Sequence, residues 1–215
     1  MNENLRRDAE TVVRHAIAAV LPDRAVERAL AGMAFPGRVY VVAAGKAAWQ
    51  MSRAAVDCLK MPVTGVCVTK YGHVMGPIAG IECIEAGHPV PDENSFRGTQ
   101  RVLELTRDLT ETDTVLFLLS GGGSALFEKP LISGEELQDI TNQLLASGAD
   151  IVKINTIRKR LSAVKGGKFA QWCAPARIEA VVLSDILGDP LDMIASGPAA
   201  ADSSTCAEAL AIAKE

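Results

Sequence analysis

Three loops of this chain collect residue types that handle anions. The first is Ala44-Gly45-Lys46, where a lysine among small residues closes an apolar run. A lysine there can reach a phosphate or a developing negative charge. The competing reading is a solvated lysine at a helix N-terminus, a place the helix dipole makes mildly unfavourable for a cation. The second loop is Ser120-Gly121-Gly122-Gly123-Ser124. Glycine lets backbone N–H groups approach an anion closely, and the helix expected after it adds a positive dipole. A tight strand-to-helix connection is the plainer reading, but three consecutive glycines exceed what a turn requires. The third loop runs from Ser184 to Pro198 and holds Asp185, Asp189, Asp192 and the Ser196-Gly197-Pro198 turn. Carboxylates in such a loop can hold Mg2+ together with substrate phosphates, although aspartate is also an ordinary turn residue. Asp185, directly after a strand-like run, is the stronger candidate, and Asp192 reads as surface.

A fourth segment is the most basic of the chain, NTIRKRLSAVKGGK at 155–168. At 100° per residue Ile151, Ile154, Ile157, Leu161 and Val164 share one face. Asn155, Arg158, Ser162 and Lys165 lie on the adjoining stripe, with Lys159 beside them. An amide, a guanidinium, a hydroxyl and an amine suit a phosphorylated or carboxylated ligand. A solvated basic face is what a charge run usually means, and both readings stay open. His88, in EAGHPVPDE, could polarise a ligand or serve a structural hydrogen bond.

The elements that must position these groups alternate between strand and helix patterns. Strand-like runs fall at 38–43, 65–69, 81–86, 114–119 and 178–183; TVLFLL at 114–119 reads as buried on both faces. Helical spacing appears at 46–59, 93–109, about 150–161 and from 207 onward. Ser133 and Glu136 have capping-box spacing ahead of another helix, and Asp92 is a candidate N-cap. This alternation predicts an α/β fold, a three-layer αβα sandwich with a largely parallel, Rossmann-like sheet. Ligands of such sheets bind in the loops after the strands' carboxyl ends, where the first three loops fall.

Composition excludes several function classes. The 215 residues are 48% hydrophobic, enough for a packed core and unlike a disordered chain. The 22 lysines and arginines against 26 aspartates and glutamates leave a net charge of −4, and aromatics are 4%. Neither a basic excess nor a stacking platform for nucleic acid is present. No apolar stretch approaches the ~20 residues of a spanning helix, so no membrane role is expected. Five cysteines without C-x-x-C spacing read as buried free thiols of a cytoplasmic protein. No G-x-x-x-x-G-K-[ST] or G-x-G-x-x-G pattern occurs, which removes a P-loop and a dinucleotide fingerprint.

AAGKAAWQM, EAGHPVPDENS, LLSGGGSALFEKP, NTIRKRLSAVKGGKFA and LSDILGDPLDMIASGP occur in this order. Together they resemble the type-2 glycerate kinases, whose C-terminal portion is called the MOFRL domain. The resemblance covers nearly everything from 38 to 204. It implies ATP- and Mg2+-dependent phosphorylation of D-glycerate, typically at the 2-hydroxyl, in a cleft between two α/β domains. It places the family's lysine at Lys46, its carboxylates at Asp185 and Asp189, and its basic helix at Asn155, Arg158 and Lys159. Ligand binding is expected from Gly45, His88, Lys165, Ser196, Gly197 and the 120–124 loop. Two departures stand out: Arg160 replaces the family's usual histidine, and Ala199-Ala200-Ala201-Asp202 follows the SGP turn. At about half the family's length, the chain is expected to be an N-terminal domain, residues 1–215, without the MOFRL domain. A hydroxypyruvate reductase and a non-catalytic small-anion-binding domain are the competing functions, with a homodimer open as an assembly; the missing dinucleotide fingerprint speaks against the reductase.

Overall fold

The computed structural model describes residues 2–184 and 186–214. Five strands, β1 (Val39–Ala44), β2 (Thr64–Lys70), β3 (Ile81–Ala86), β4 (Thr114–Ser120) and β5 (Arg177–Leu183), form one sheet. Their order is β3-β2-β1-β4-β5 and every pairing is parallel. Around the sheet lie α1 (Glu3–Ala19), α2 (Pro22–Leu30), α3 (Ala48–Leu59), α4 (Glu93–Leu105), α5 (Gly123–Leu126), α6 (Gly134–Ala146), α7 (Ile151–Arg160), α8 (Lys168–Cys173) and α9 (Cys206–Ile212). The expected αβα sandwich is the observed fold. Every residue of β4 is buried, as a central parallel strand covered on both faces must be.

Two cores hold the layers together. On one face Val41, Ala43, Leu116 and Leu118 of the sheet pack with Met51, Ala54 and Ala55 of α3 and Val26 of α2. On the other, Val42, Val66, Phe117 and Leu119 pack with Val102 of α4 and Phe169 of α8. Phe117, Phe127 and Phe169 meet there as a tilted trio with ring centroids 5.1–5.4 Å apart. Such pairings add to the area the rings bury.

The strand order reverses direction of growth between β1 and β4, so their carboxyl ends splay apart at a topological switch point. The loops 44–46 and 120–124 leave the sheet at that point.

Several boundaries differ from the sequence pattern. The helix expected over 93–109 stops at Leu105: the Thr106 hydroxyl turns back to the Val102 carbonyl at 2.8 Å, and Thr110 donates to Asp113. Asp113 in turn grips Arg38 through two bonds of 2.8 and 2.9 Å, which holds its carboxyl well below the usual range. Helices α2 and α8, short and interrupted by charge, lack a periodic pattern long enough to read. The cysteines are free, but only Cys67 and Cys173 are buried and Cys206 is exposed, so the expectation of buried thiols holds only in part. Among the described residues no helix is long and apolar enough to cross a membrane.

Candidate functional site

Backbone bonds tie the first two loops together before any side chain is considered. The Lys46 N–H donates to the Gly121 carbonyl at 2.9 Å, and the Gly45 N–H to the Val68 carbonyl at 3.2 Å. The Ser120 hydroxyl accepts from the Ala47 N–H at 3.0 Å, beside the start of α3. Thr69 Oγ1 donates to the Gly45 carbonyl at 2.9 Å. Ser120 is therefore a tie between loops, although the sequence pattern enrolled it as a ligand. Gly45 is the pivot, with φ +128° and no room for a side chain: a Cβ would lie 2.2 Å from Ser120 Oγ and 2.5 Å from its carbonyl oxygen. Gly45→Ala is expected to cost at least about 2 kcal/mol through strain and overpacking, read as a lowered urea midpoint.

Gly122, at φ +88°, brings the charged groups within reach of one another. A Cβ on it would meet His88 Cδ2 at 2.8 Å and Lys46 Cγ at 3.3 Å. His88 thus stands over the glycine loop with Lys46 on one side. Burial first, and then the charges of Lys46, Lys70, Arg158 and His73, pull His88 below the ordinary imidazole value. The cause is burial together with the positive charge gathered around His88. His73, which the sequence pattern passed over, donates its Nδ1–H to the Lys46 carbonyl at 2.8 Å.

Two concavities flank His88 and Lys46. One, about 220 Å³, is lined by His88, Gly121, Gly122, Ser124, Asn155 and Arg158. The other, about 210 Å³, is lined by Lys46, Trp49, His73 and Met75. A larger apolar groove of about 840 Å³ between α6, α7 and α9 holds none of the candidate residues. The helix after the glycine loop, α5, is a single turn of four residues. The dipole expected from it is correspondingly small, and the loop's contribution is close backbone approach.

The α7 segment keeps Ile154 and Val164 of its expected apolar face buried but buries its polar stripe as well. Ile151 and Val152 are half exposed, whereas Asn155, Thr156, Arg158 and Lys159 are buried. The solvated-face reading fails because distant carboxylates cover the charges. Lys159 lies 3.0 Å from Asp202 and 3.4 Å from Asp192, so Asp192 is a partner of the core rather than free surface. Lys165 donates to the Phe127 carbonyl at 2.7 Å and sits 2.9 Å from Glu128, both side chains fully buried. Neither lysine reaches the cavity. The two departures from the family pattern meet each other: Arg160 bonds Asp202 at 2.7 Å.

Asn155 and Ser196 do reach the site. Ser196 donates to Asn155 Oδ1 at 2.9 Å and stands 2.7 Å from Ser124 Oγ. Ala195, Ser196 and Gly197 are all left-handed, with φ of 52°, 62° and 60°. Ser196 is fully buried there, behind Ser124 and Asn155, which line the cavity. The N–H groups of Ser196 and Gly197 are spent on Met193 and Ile194 carbonyls, so Gly197 offers no free donor. Asp189 is exposed on a turn at φ +48° and does not line the cavity. Asp185 lies outside the described residues. No group of three His, Cys, Asp or Glu side chains converges among the described residues. The described cavity wall carries cations and amides and no carboxylate, so its donor set does not fit a resident divalent cation.

The family model described as a domain of unknown function, DUF4147, matches residues 8–215. The chain belongs to the DUF4147 family. It is 57% identical over 213 residues to the D-glycerate 2-kinase of Thermotoga maritima, an alignment covering 98% of this chain and 51% of that relative. It is 49% identical over 175 residues to the glycerate 2-kinase of Pyrococcus horikoshii, covering 80% of this chain and 39% of the relative. The crystal structure of a glycerate kinase from Thermotoga maritima superposes with a TM-score of 0.92 at 55% identity, over 99% of this chain and 52% of that one. The chain spans about half the length of the first of these relatives, and less of the second.

Proposed function

We propose that this DUF4147 chain supplies one wall of a D-glycerate 2-kinase, transferring phosphoryl from ATP to the 2-hydroxyl of D-glycerate. The observation that carries this reading is the meeting of Lys46 and His88 beside Gly122, with Arg158 lining the same cavity as His88, at the switch point of a parallel sheet. Phosphoryl transfer asks a protein mainly for positioning and charge neutralisation, and these groups supply both. Lys46 is exposed at the mouth, where its ammonium neutralises charge on the transferring group. Arg158 and Ser124 hold the acid. Asp185, next after Ser184 at the end of β5, is the candidate to accept the proton of the attacking hydroxyl. ATP arrives with its own Mg2+, and no step here passes through a cation held by the described residues. The names of the Thermotoga and Pyrococcus relatives support the same activity. Their greater length supports a second wall, and an active site in the cleft between the two.

The test joins this chain to the C-terminal half of the 57% identical Thermotoga relative and follows phosphoglycerate by phosphorus NMR. The joined protein is expected to form 2-phosphoglycerate, and the 215-residue chain alone to show little or no turnover, since small misplacements cost orders of magnitude in rate. Full turnover by the chain alone would overturn the two-wall cleft. A folded but inactive joined protein would overturn the kinase reading, and saturable NADPH-dependent reduction of hydroxypyruvate would put a reductase in its place.

A further inference from the structure

Three cationic side chains are buried among the described residues: Arg158, Lys159 and Lys165. Lys159 and Lys165 each have carboxylates at ion-pair distance. Arg158 has none among the described residues. The residue is 7% exposed, and the one hydrogen bond its guanidinium makes there runs from Nη2 to the Ser124 carbonyl at 3.1 Å. Its Nε is buried without an acceptor. A buried guanidinium with one donor in use is costly unless an anion completes it. Arg158 lines the 220 Å³ cavity, so the missing anion belongs there.

The hydrogen-bond order beside it says which anion. Ser196 has one hydroxyl hydrogen and spends it on Asn155 Oδ1, while Asn155 Nδ2 reaches the Met193 carbonyl at 3.3 Å. The 2.7 Å bond between the two serines therefore has Ser124 as donor. Ser124 Oγ is left with lone pairs alone to offer the cavity. A neighbouring cation and an acceptor-only oxygen match a ligand carrying a carboxylate next to a hydroxyl. An anion without a hydrogen of its own, such as sulfate or a fully ionised phosphate ester, would meet Ser124 with nothing to donate. We infer that this cavity is the carboxylate subsite for a small 2-hydroxy acid, with Arg158 binding the carboxylate and Ser124 accepting its hydroxyl. This deepens the kinase reading and rests on it for the identity of the acid.

The test is calorimetric titration of the 215-residue chain with D-glycerate, propionate (no hydroxyl), glycerol (no carboxylate) and inorganic sulfate (no hydrogen to donate). D-Glycerate is expected to bind saturably, at least about tenfold tighter than propionate or glycerol, without competition from sulfate. Arg158→Gln is expected to weaken D-glycerate at least about tenfold. Ser124→Ala is expected to weaken D-glycerate while leaving propionate unchanged. Arg158→Lys, which keeps the charge but not the planar fork, should fall between Gln and the parent; if a variant misfolds, the ligand series on the unaltered chain decides the same question. Sulfate competing on equal terms, no saturable D-glycerate binding, or parental affinity in a folded Arg158→Gln chain would overturn the assignment. Glycerate bound in this pattern without phosphorylation by the joined protein removes the kinase and leaves the subsite. Turnover with a parental KM for glycerate in Arg158→Gln removes the subsite and leaves the kinase.

Discussion

In the joined two-domain protein, Lys46→Ala is expected to lower kcat for D-glycerate phosphorylation by roughly 100- to 1000-fold, the usual loss when one group stabilising transition-state charge is removed. The lysine follows β1 directly, and its backbone is pinned to the Gly121 carbonyl. Its side chain passes over Gly122 beside His88, so the ammonium is delivered to the mouth of the site on a rigid element. Because the residue is exposed, the substitution should leave stability within the roughly ±0.5 kcal/mol typical of surface changes, read as an unmoved urea midpoint. A drop in kcat at constant stability and nearly constant KM for glycerate separates a transition-state role from a binding or folding role. Lys46→Arg is not expected to restore the rate: the planar guanidinium is larger and needs a fork-shaped partner, whereas an ammonium acts as a compact charge. A kcat within about threefold of the parent would remove Lys46 from the chemistry.

The parts of this molecule that are legible in the sequence are those set by local rules. Strands buried on both faces announce themselves as continuous apolar runs, and β4 is the clearest case. The capping boxes at Asp92 and Ser133 are formed by residues three apart and need no tertiary context. The glycine loop is legible too, but its purpose is only half visible. Its conformation serves a close approach to His88, Lys46 and Ala195, whose positions no spacing rule contains.

Helix α7 shows where such reading ends. A 100° projection sorts residues by type and assumes that charge faces water. Here Lys159 finds its carboxylates 33 and 43 residues later, and Lys165 finds Glu128 well before it. With those partners the polar face can be buried and Ile151 left half exposed. The same long-range pairing leaves Arg158, alone of the three among the described residues, without a carboxylate. Pairing between distant charges decides which basic residues support the fold and which remain for a ligand, and that information is absent from any single window of sequence.

Glu128 and Lys165 form the pair whose disruption should cost the fold most. Both side chains are fully buried, with Nζ 2.9 Å from the carboxylate and 2.7 Å from the Phe127 carbonyl. Burial, opposed by Glu128, pulls Lys165 down to about 8. Glu128→Ala leaves that amine without its counter-charge and is expected to destabilise the chain by about 3–5 kcal/mol at pH 7. Replacing both partners, Glu128→Leu with Lys165→Met, removes two buried charges together and should recover most of the deficit, less the carbonyl of Phe127 that loses its donor. The pH dependence checks the cause. A lysine whose folded value lies below its ordinary 10.5 makes stability rise with pH between the two, because the unfolded chain holds the proton longer. In the parent that rise begins near pH 8. Without Glu128 the folded value drops further, so the rise begins earlier and the deficit of Glu128→Ala shrinks as pH approaches 8, then stays constant. Urea midpoints from about pH 6 to 9 read this directly. A deficit independent of pH over that range, or a double variant as unstable as the single one, would show that Glu128 acts through packing and not through the charge on Lys165.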